Sequence, residues 1–166
     1  MSSWTQPELA LGATNRRILE DTSAGLFVTV FYGVLDSSSG ELTDSNAGHN
    51  PPYLMSARDG NTVQELDRTG VPLGILDGVA WEQRIVQLEP GDVLLLYTAG
   101  ITEAQNAQDE FFDEDRLRAF VGASIGRSAQ DIQDGIIAQV DAFVGDVPQA
   151  DDITLVIVTR DSTEAG

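Results

Sequence analysis

Cysteine is absent from the 166 residues, and histidine occurs once, at His49. Disulfides and thiolate metal sites are therefore excluded. Positive charge is scarce: 9 basic residues stand against 27 acidic ones, for a formal net charge of -18. That balance argues against nucleic acid and anionic membrane surfaces as partners, because phosphate binding needs a basic patch. No apolar run reaches the roughly 18 residues of a membrane span, and the N-terminus lacks a signal-peptide pattern. The expected compartment is the cytoplasm. Internal repeats, linkers and low-complexity segments are also missing, as is a glycine-rich phosphate loop opening a helix. What remains is a chain with 42% hydrophobic residues, long enough for one domain with its own core. Most of the carboxylates serve solubility, with metal binding as the functional alternative for a few.

The organising stretch is Asp92 to Ala104, DVLLLYTAGITEA. The turn signal Glu89-Pro90-Gly91-Asp92 leads into Val93–Leu96, a run that reads as a strand buried on both faces and ends at Tyr97-Thr98. Gly100 permits a tight bend or a close backbone approach where that strand ends. The side chain delivered there is Ala99, which has no chemistry. Elsewhere, Thr5-Gln6-Pro7-Glu8 reads as a capping box for a helix to about Glu20, with Leu11, Ile18 and Leu19 on one face. Asn15 shares that face as a packing or hydrogen-bonding residue. Leu26–Leu35 reads as a central strand, Asp36–Gly40 as a turn and Glu41–Ser45 as the returning strand, followed by a loop from Asn46 to Pro52. Tyr53–Met55 and Val63–Leu66 flank a hairpin turn at Asp59-Gly60, and Ala80–Leu88 reads as a half-exposed strand. Two helices follow: Asp113–Val121, and one capped by Ser128 with Asp131 and carrying Ile132, Ile136, Val140 and Phe143. Ala150-Asp151-Asp152 precedes a last strand at Ile153–Val158, and the tail from Asp161 is polar. Hairpins followed by helices predict an antiparallel α+β domain rather than a βαβ fold.

FVTVFYGVLD, SNAGHNPPYLM, GVPLGIL, EPGDVLLLYTAGITEA and ADDITLVIV, in this order, resemble the bacterial SpoIIE-type serine phosphatases of the metal-dependent type 2C phosphatase superfamily. The resemblance runs from Glu8 to Arg160. It implies an antiparallel β-sandwich flanked by helices (α-β-β-α), a single domain over residues 1–166 with an ordered core of about 5–160. It also implies hydrolysis of phosphoserine or phosphothreonine on a protein, in partner-switching circuits whose substrate is a phosphorylated anti-anti-sigma-type protein. The cofactors implied are two Mn²⁺ or Mg²⁺ ions, held by carboxylates from separate strand ends.

The resemblance also says which of those carboxylates are here. A Gly-Asp-Val-Ser-Gly-His-Gly-like segment is expected upstream of the helix at Glu8; only Met1–Pro7 precede that helix, so the expected fold is N-terminally incomplete. The Tyr-Thr-Asp-Gly motif reads Tyr97-Thr98-Ala99-Gly100, so the ligand position at Ala99 is lost. The first aspartate of Asp-Asp-Ile-Thr is Asp151, the one expected metal ligand, with Asp152 supporting the turn or the site. His49 is either a general acid or a loop histidine bonded to backbone; its Gly48-His49-Asn50 context matches the family's structural loop. Glu103 is read as a capping group. Metal binding is accordingly expected to be weak or absent. Three readings stay open: a phosphatase domain, a non-catalytic binding module that keeps the phosphatase surface, and a half-domain completed by another chain. Uncovered strand edges and a symmetric homodimer are expected from the missing segment.

Overall fold

A computed structural model describes residues 6–21, 25–58 and 62–161. Thr5 of the capping box, the Asp59-Gly60 turn and the tail after Asp161 lie outside the described residues. The elements run α1 (Pro7–Asp21), β1 (Val30–Leu35), β2 (Glu41–Ala47), β3 (Tyr53–Met55), β4 (Val63–Glu65), β5 (Arg84–Gln87), β6 (Val93–Tyr97), α2 (Ala99–Thr102), α3 (Asp113–Ala123), α4 (Ala129–Val144) and β7 (Leu155–Thr159). The strands form two antiparallel sheets, ordered β1-β2-β5 and β4-β3-β6-β7. The mixed class of helices and antiparallel sheets is the one expected. The chain divides into two compact units, Met1–Pro51 with Leu66–Gln87 and Pro52–Glu65 with Leu88–Gly166.

In the first unit the central strand is β2, not the apolar segment before it. β1 begins only at Val30 and lies at the sheet edge, paired from Val30↔Ala47 to Leu35↔Leu42. Leu26 and Phe27 are 63% and 61% exposed, and Val28 makes a single bridge to Leu73. The expectation of a buried central strand over Leu26–Leu35 is thus corrected, and Phe31 is half-buried rather than a core residue. β2 also runs on to Ala47, through what reads in sequence as the start of a loop. Asp44, Ser45 and Asn46 are buried in it despite their polarity. Each polar group is matched, which is the condition for burying it. The Arg84 guanidinium donates to both carboxylate oxygens of Asp44, the Ser45 hydroxyl donates to the Glu82 carbonyl at 2.9 Å, and Asn46 Nδ2 donates to the Leu66 carbonyl at 3.2 Å. The β1–β2 turn is built on Asp36, whose Oδ1 accepts from the Ser38 amide and hydroxyl; these bonds hold the carboxyl below its ordinary range. α1 lays Leu11 and Ile18 against Ala47, Leu73 and Trp81. Trp81 is core and precedes β5, so the strand expected over Ala80–Leu88 shrinks to Arg84–Gln87.

The second unit is built around β6, which pairs with β3 on one side and β7 on the other. Val93, Leu95 and Tyr97 on one face join Tyr53 and Met55 of β3, Leu117 and Val121 of α3, and Ile132, Ile136 and Val140 of α4 in one apolar cluster. The turn before β6 is fixed by buried Asp92, whose carboxylate accepts from the amides of Ala57 and Glu89 at 2.9 and 2.8 Å. At the start of α4 the Asp131 amide donates to Ser128 Oγ at 3.1 Å, and the Ser128 hydroxyl donates to the Asp131 carboxylate at 2.7 Å, so the expected cap forms. β7 starts two residues later than expected because Ile153 and Thr154 belong to the lead-in described below.

The Asp44–Arg84 pair yields a prediction with a pH signature. Burial pushes the Asp44 carboxyl above its ordinary 3.8, and Arg84 opposes that rise. Arg84→Met removes the opposition, leaves a buried charge unpaired and should cost about 3–5 kcal/mol at neutral pH. The folded-state pKa of Asp44 then climbs further above the unfolded value. The stability tied to this carboxyl is fully present below the unfolded value and lost as pH rises through the folded one. Urea unfolding should therefore show a larger deficit for Arg84→Met, relative to wild type, at about pH 8 than at about pH 5.

Candidate functional site: the strand-end turn at Thr98–Gly100 and Asp151–Asp152

All residues of this site lie in the second unit. β6 ends at Tyr97, whose phenol donates to Tyr53 at 3.0 Å inside the core, and burial pushes both phenols upward from their ordinary range. Thr98 then ties two chain segments together. Its amide donates to the Thr154 carbonyl at 3.1 Å, and its hydroxyl donates to the Asp152 carbonyl at 3.1 Å while accepting from the Thr154 amide at 2.9 Å. Sequence reasoning did not assign Thr98 this bridging role; a threonine at a strand end followed by two small residues is the only sequence signal for it.

After Thr98 the chain turns into the single helical turn α2, which the sequence reading leaves as a bend. Gly100 is buried there, and a Cβ added to it would stand 2.4 Å from the Asp152 carbonyl oxygen and 3.3 Å from that of Asp151. The expected close backbone approach is therefore present, and the segment approached is the one carrying Asp151. The sequence positions Ala99 and Asp151 are brought together through the backbone on either side of them.

Asp151 is exposed, and its Oδ1 accepts from the Asp152 amide at 2.8 Å. Gln149 Nε2 holds the Asp151 carbonyl at 2.6 Å. Asp152 gives the turn its backbone amide and carbonyl. Glu103 is exposed and is the C-cap of α2, its backbone amide donating to the Ala99 carbonyl at 2.8 Å, which makes it a capping group as expected. Glu103 and Asp151 both border a cavity of about 240 Å³.

The other two sequence candidates lie in the first unit. His49 donates its amide to Asn46 Oδ1 at 2.8 Å, and its Nδ1 stands 3.4 Å from the Thr29 hydroxyl, a loop histidine as its context implies. Asn15 is buried, donating to the Leu76 carbonyl at 2.9 Å and accepting from the Gly74 amide at 2.7 Å, a structural role as expected.

With this geometry in hand, the comparisons with known proteins decide the family. The family model described as Stage II sporulation protein E (SpoIIE) matches residues 1–161. The chain belongs to the SpoIIE family. It is 29% identical over 154 residues to phosphoserine phosphatase RsbU of Bacillus subtilis, covering 93% of this chain and 45% of that protein. It is 30% identical over 144 residues to protein IcfG of Synechocystis sp., covering 85% of this chain and 22% of that one. The chain thus spans less than half the length of these curated relatives. Among solved structures, the SiaA-PP2C domain of Pseudomonas aeruginosa superposes with a TM-score of 0.82 at 23% identity, over 95% of this chain and 62% of that one. That likeness establishes the fold as PP2C-like. No helix among the described residues is long and apolar enough to cross a membrane.

PP2C-type relatives depend on metal ions, and the donor set at this site can be tested against two of them. Hard cations such as Mg²⁺ need near-complete shells of oxygen ligands, and a pair of them needs carboxylates from several directions. Asp151 already spends one oxygen on its own turn, the Ala99 side chain carries none, and no three Asp, Glu or His side chains among the described residues stand together as a metal site. The residues present do not fit a two-metal centre.

Gly100→Ala tests the junction directly. The added Cβ meets backbone that cannot rotate away, so the change should cost about 1–3 kcal/mol. Hydrogen exchange at the Thr98 and Thr154 amides should speed up more than exchange at Leu95. Unchanged protection at both amides would show that the two segments are not held by this approach.

Proposed function

We propose that this chain acts as a single SpoIIE-type phosphatase-like domain in a partner-switching circuit, engaging a phosphorylated anti-anti-sigma-type protein without hydrolysing it. Membership of the SpoIIE family, with a relative named as a phosphoserine phosphatase, supports the class of partner. The observation that carries the non-catalytic half is the donor set: one oriented aspartate, Asp151, and an alanine, Ala99, at the other position where a carboxylate is expected. Asp151 is its one family-type metal ligand, so Mn²⁺ or Mg²⁺ is held weakly or not at all. The fold keeps the turn that presents the site, while the electrostatic stabilisation that phosphoryl transfer needs is missing. The expected symmetric dimer draws support from exposed Leu26, Phe27 and Val28 beside the edge strand β1.

The test is hydrolysis of p-nitrophenyl phosphate with excess Mn²⁺. Wild type and Ala99→Asp should both stay at the rate of the Asp151→Ala control, since two carboxylates still fall short of two anchored metals. Mn²⁺-dependent turnover by wild type or by Ala99→Asp, lost on Asp151→Ala, would return the chain to the enzymes.

A further inference from the structure

We propose that the cavity beside Asp151 is a docking pocket for a polypeptide segment that inserts one apolar side chain flanked by arginine or lysine. The proposal deepens the binding reading above and rests on it. The cavity is formed by the turn around α2, the last turns of α4 and the loop from Gly145 to Ile153. Its apolar wall comes from Ala104, Val140, Val144, Val147 and Ile153. Carboxylates from three separate segments border it, Glu103, Asp141 and Asp151, and no basic residue among the described residues lines it.

Size, polarity and charge narrow the occupant. At about 240 Å³ the cavity falls below the roughly 300–1,000 Å³ of pockets for drug-sized ligands. It has room for a side chain and too little for a nucleotide or an organic cofactor. The apolar wall favours burial of an aliphatic group, which is the main source of affinity at such a site. The three carboxylates, together with the carbonyl end of α4, set a negative potential that selects against acidic partners and for basic ones. A segment with the apolar side chain between two basic residues satisfies both demands at once: the side chain fills the cavity while the flanking charges reach the rim in solvent.

The experiment uses the full chain, labelled with ¹⁵N, and three blocked pentapeptides with the central sequences Arg-Leu-Arg, Glu-Leu-Glu and Arg-Ser-Arg. The Arg-Leu-Arg peptide should give saturable shifts at the amides of Glu103, Gln105, Asp141 and Gln149. The other two should bind at least about tenfold more weakly, a difference of one decade in Kd. The double charge reversal Glu103→Arg with Asp141→Arg, both exposed, should weaken the Arg-Leu-Arg peptide by a similar factor, and Val147→Trp should fill the cavity and abolish the shifts. Absence of shifts at these amides in millimolar peptide, equal binding of the acidic peptide, or indifference to the charge reversal would overturn the proposal. Phosphatase turnover in the Mn²⁺ assay would instead overturn the non-catalytic reading and leave the peptide map as found, so the two failures are distinguishable.

Discussion

At Gly100 two backbones meet closer than any side chain permits, with 2.4 Å between the place a Cβ would take and the carbonyl oxygen of Asp152. The Thr98 hydroxyl, donating to that same carbonyl and accepting from Thr154, makes the approach a fixed one. The end of β6 and the lead-in to β7 are thereby joined into one turn, although Thr98 and Asp152 stand 54 positions apart in sequence. Position 99 and Asp151 owe their proximity to this contact. So does the cavity, whose lining draws on both segments and on the α4 that packs above them.

A second constraint shapes the first unit. A strand of sequence ELTDSNA occupies the centre of its sheet, with the more apolar VFYGVL at the edge. Such an arrangement is stable only because Asp44, Ser45 and Asn46 each find a partner, and the Arg84 fork is the most demanding of these matches. A bidentate pair of this kind fixes register as well as charge, since a slip of β2 against β5 by one residue would turn Asp44 away from Arg84.

These two features mark the limits of what could be read from the sequence. β6 was legible because an unbroken run from Val93 to Leu96 after a Pro-Gly turn has few alternatives, and α4 because Ile132, Ile136 and Val140 repeat at helical spacing behind a Ser128 cap. Leu26–Leu35 differs because its apolarity does not signal burial: Leu26, Phe27 and Val28 lie outside the ladder and are exposed. β2 was shortened because its last residues have turn composition, and their burial depends on partners as distant as Leu66 and Glu82, which no local pattern announces. At the site, the motif order located Ala99, Gly100 and Asp151. The bridging hydroxyl of Thr98, the clamp from Gln149 and the cavity are tertiary and had no signal of comparable strength.

The chain has a PP2C-like fold with an intact strand-end turn, and the proposal that Asp151 is its one metal ligand there rests on the donor set at that turn. Titration calorimetry of Mn²⁺ into the wild-type chain, beside Asp151→Ala, tests that most directly. A site with one oriented aspartate gains little over bulk water, so the two proteins should give the same weak, unsaturated heats. A tight, stoichiometric isotherm for the wild type that disappears in Asp151→Ala would contradict the account.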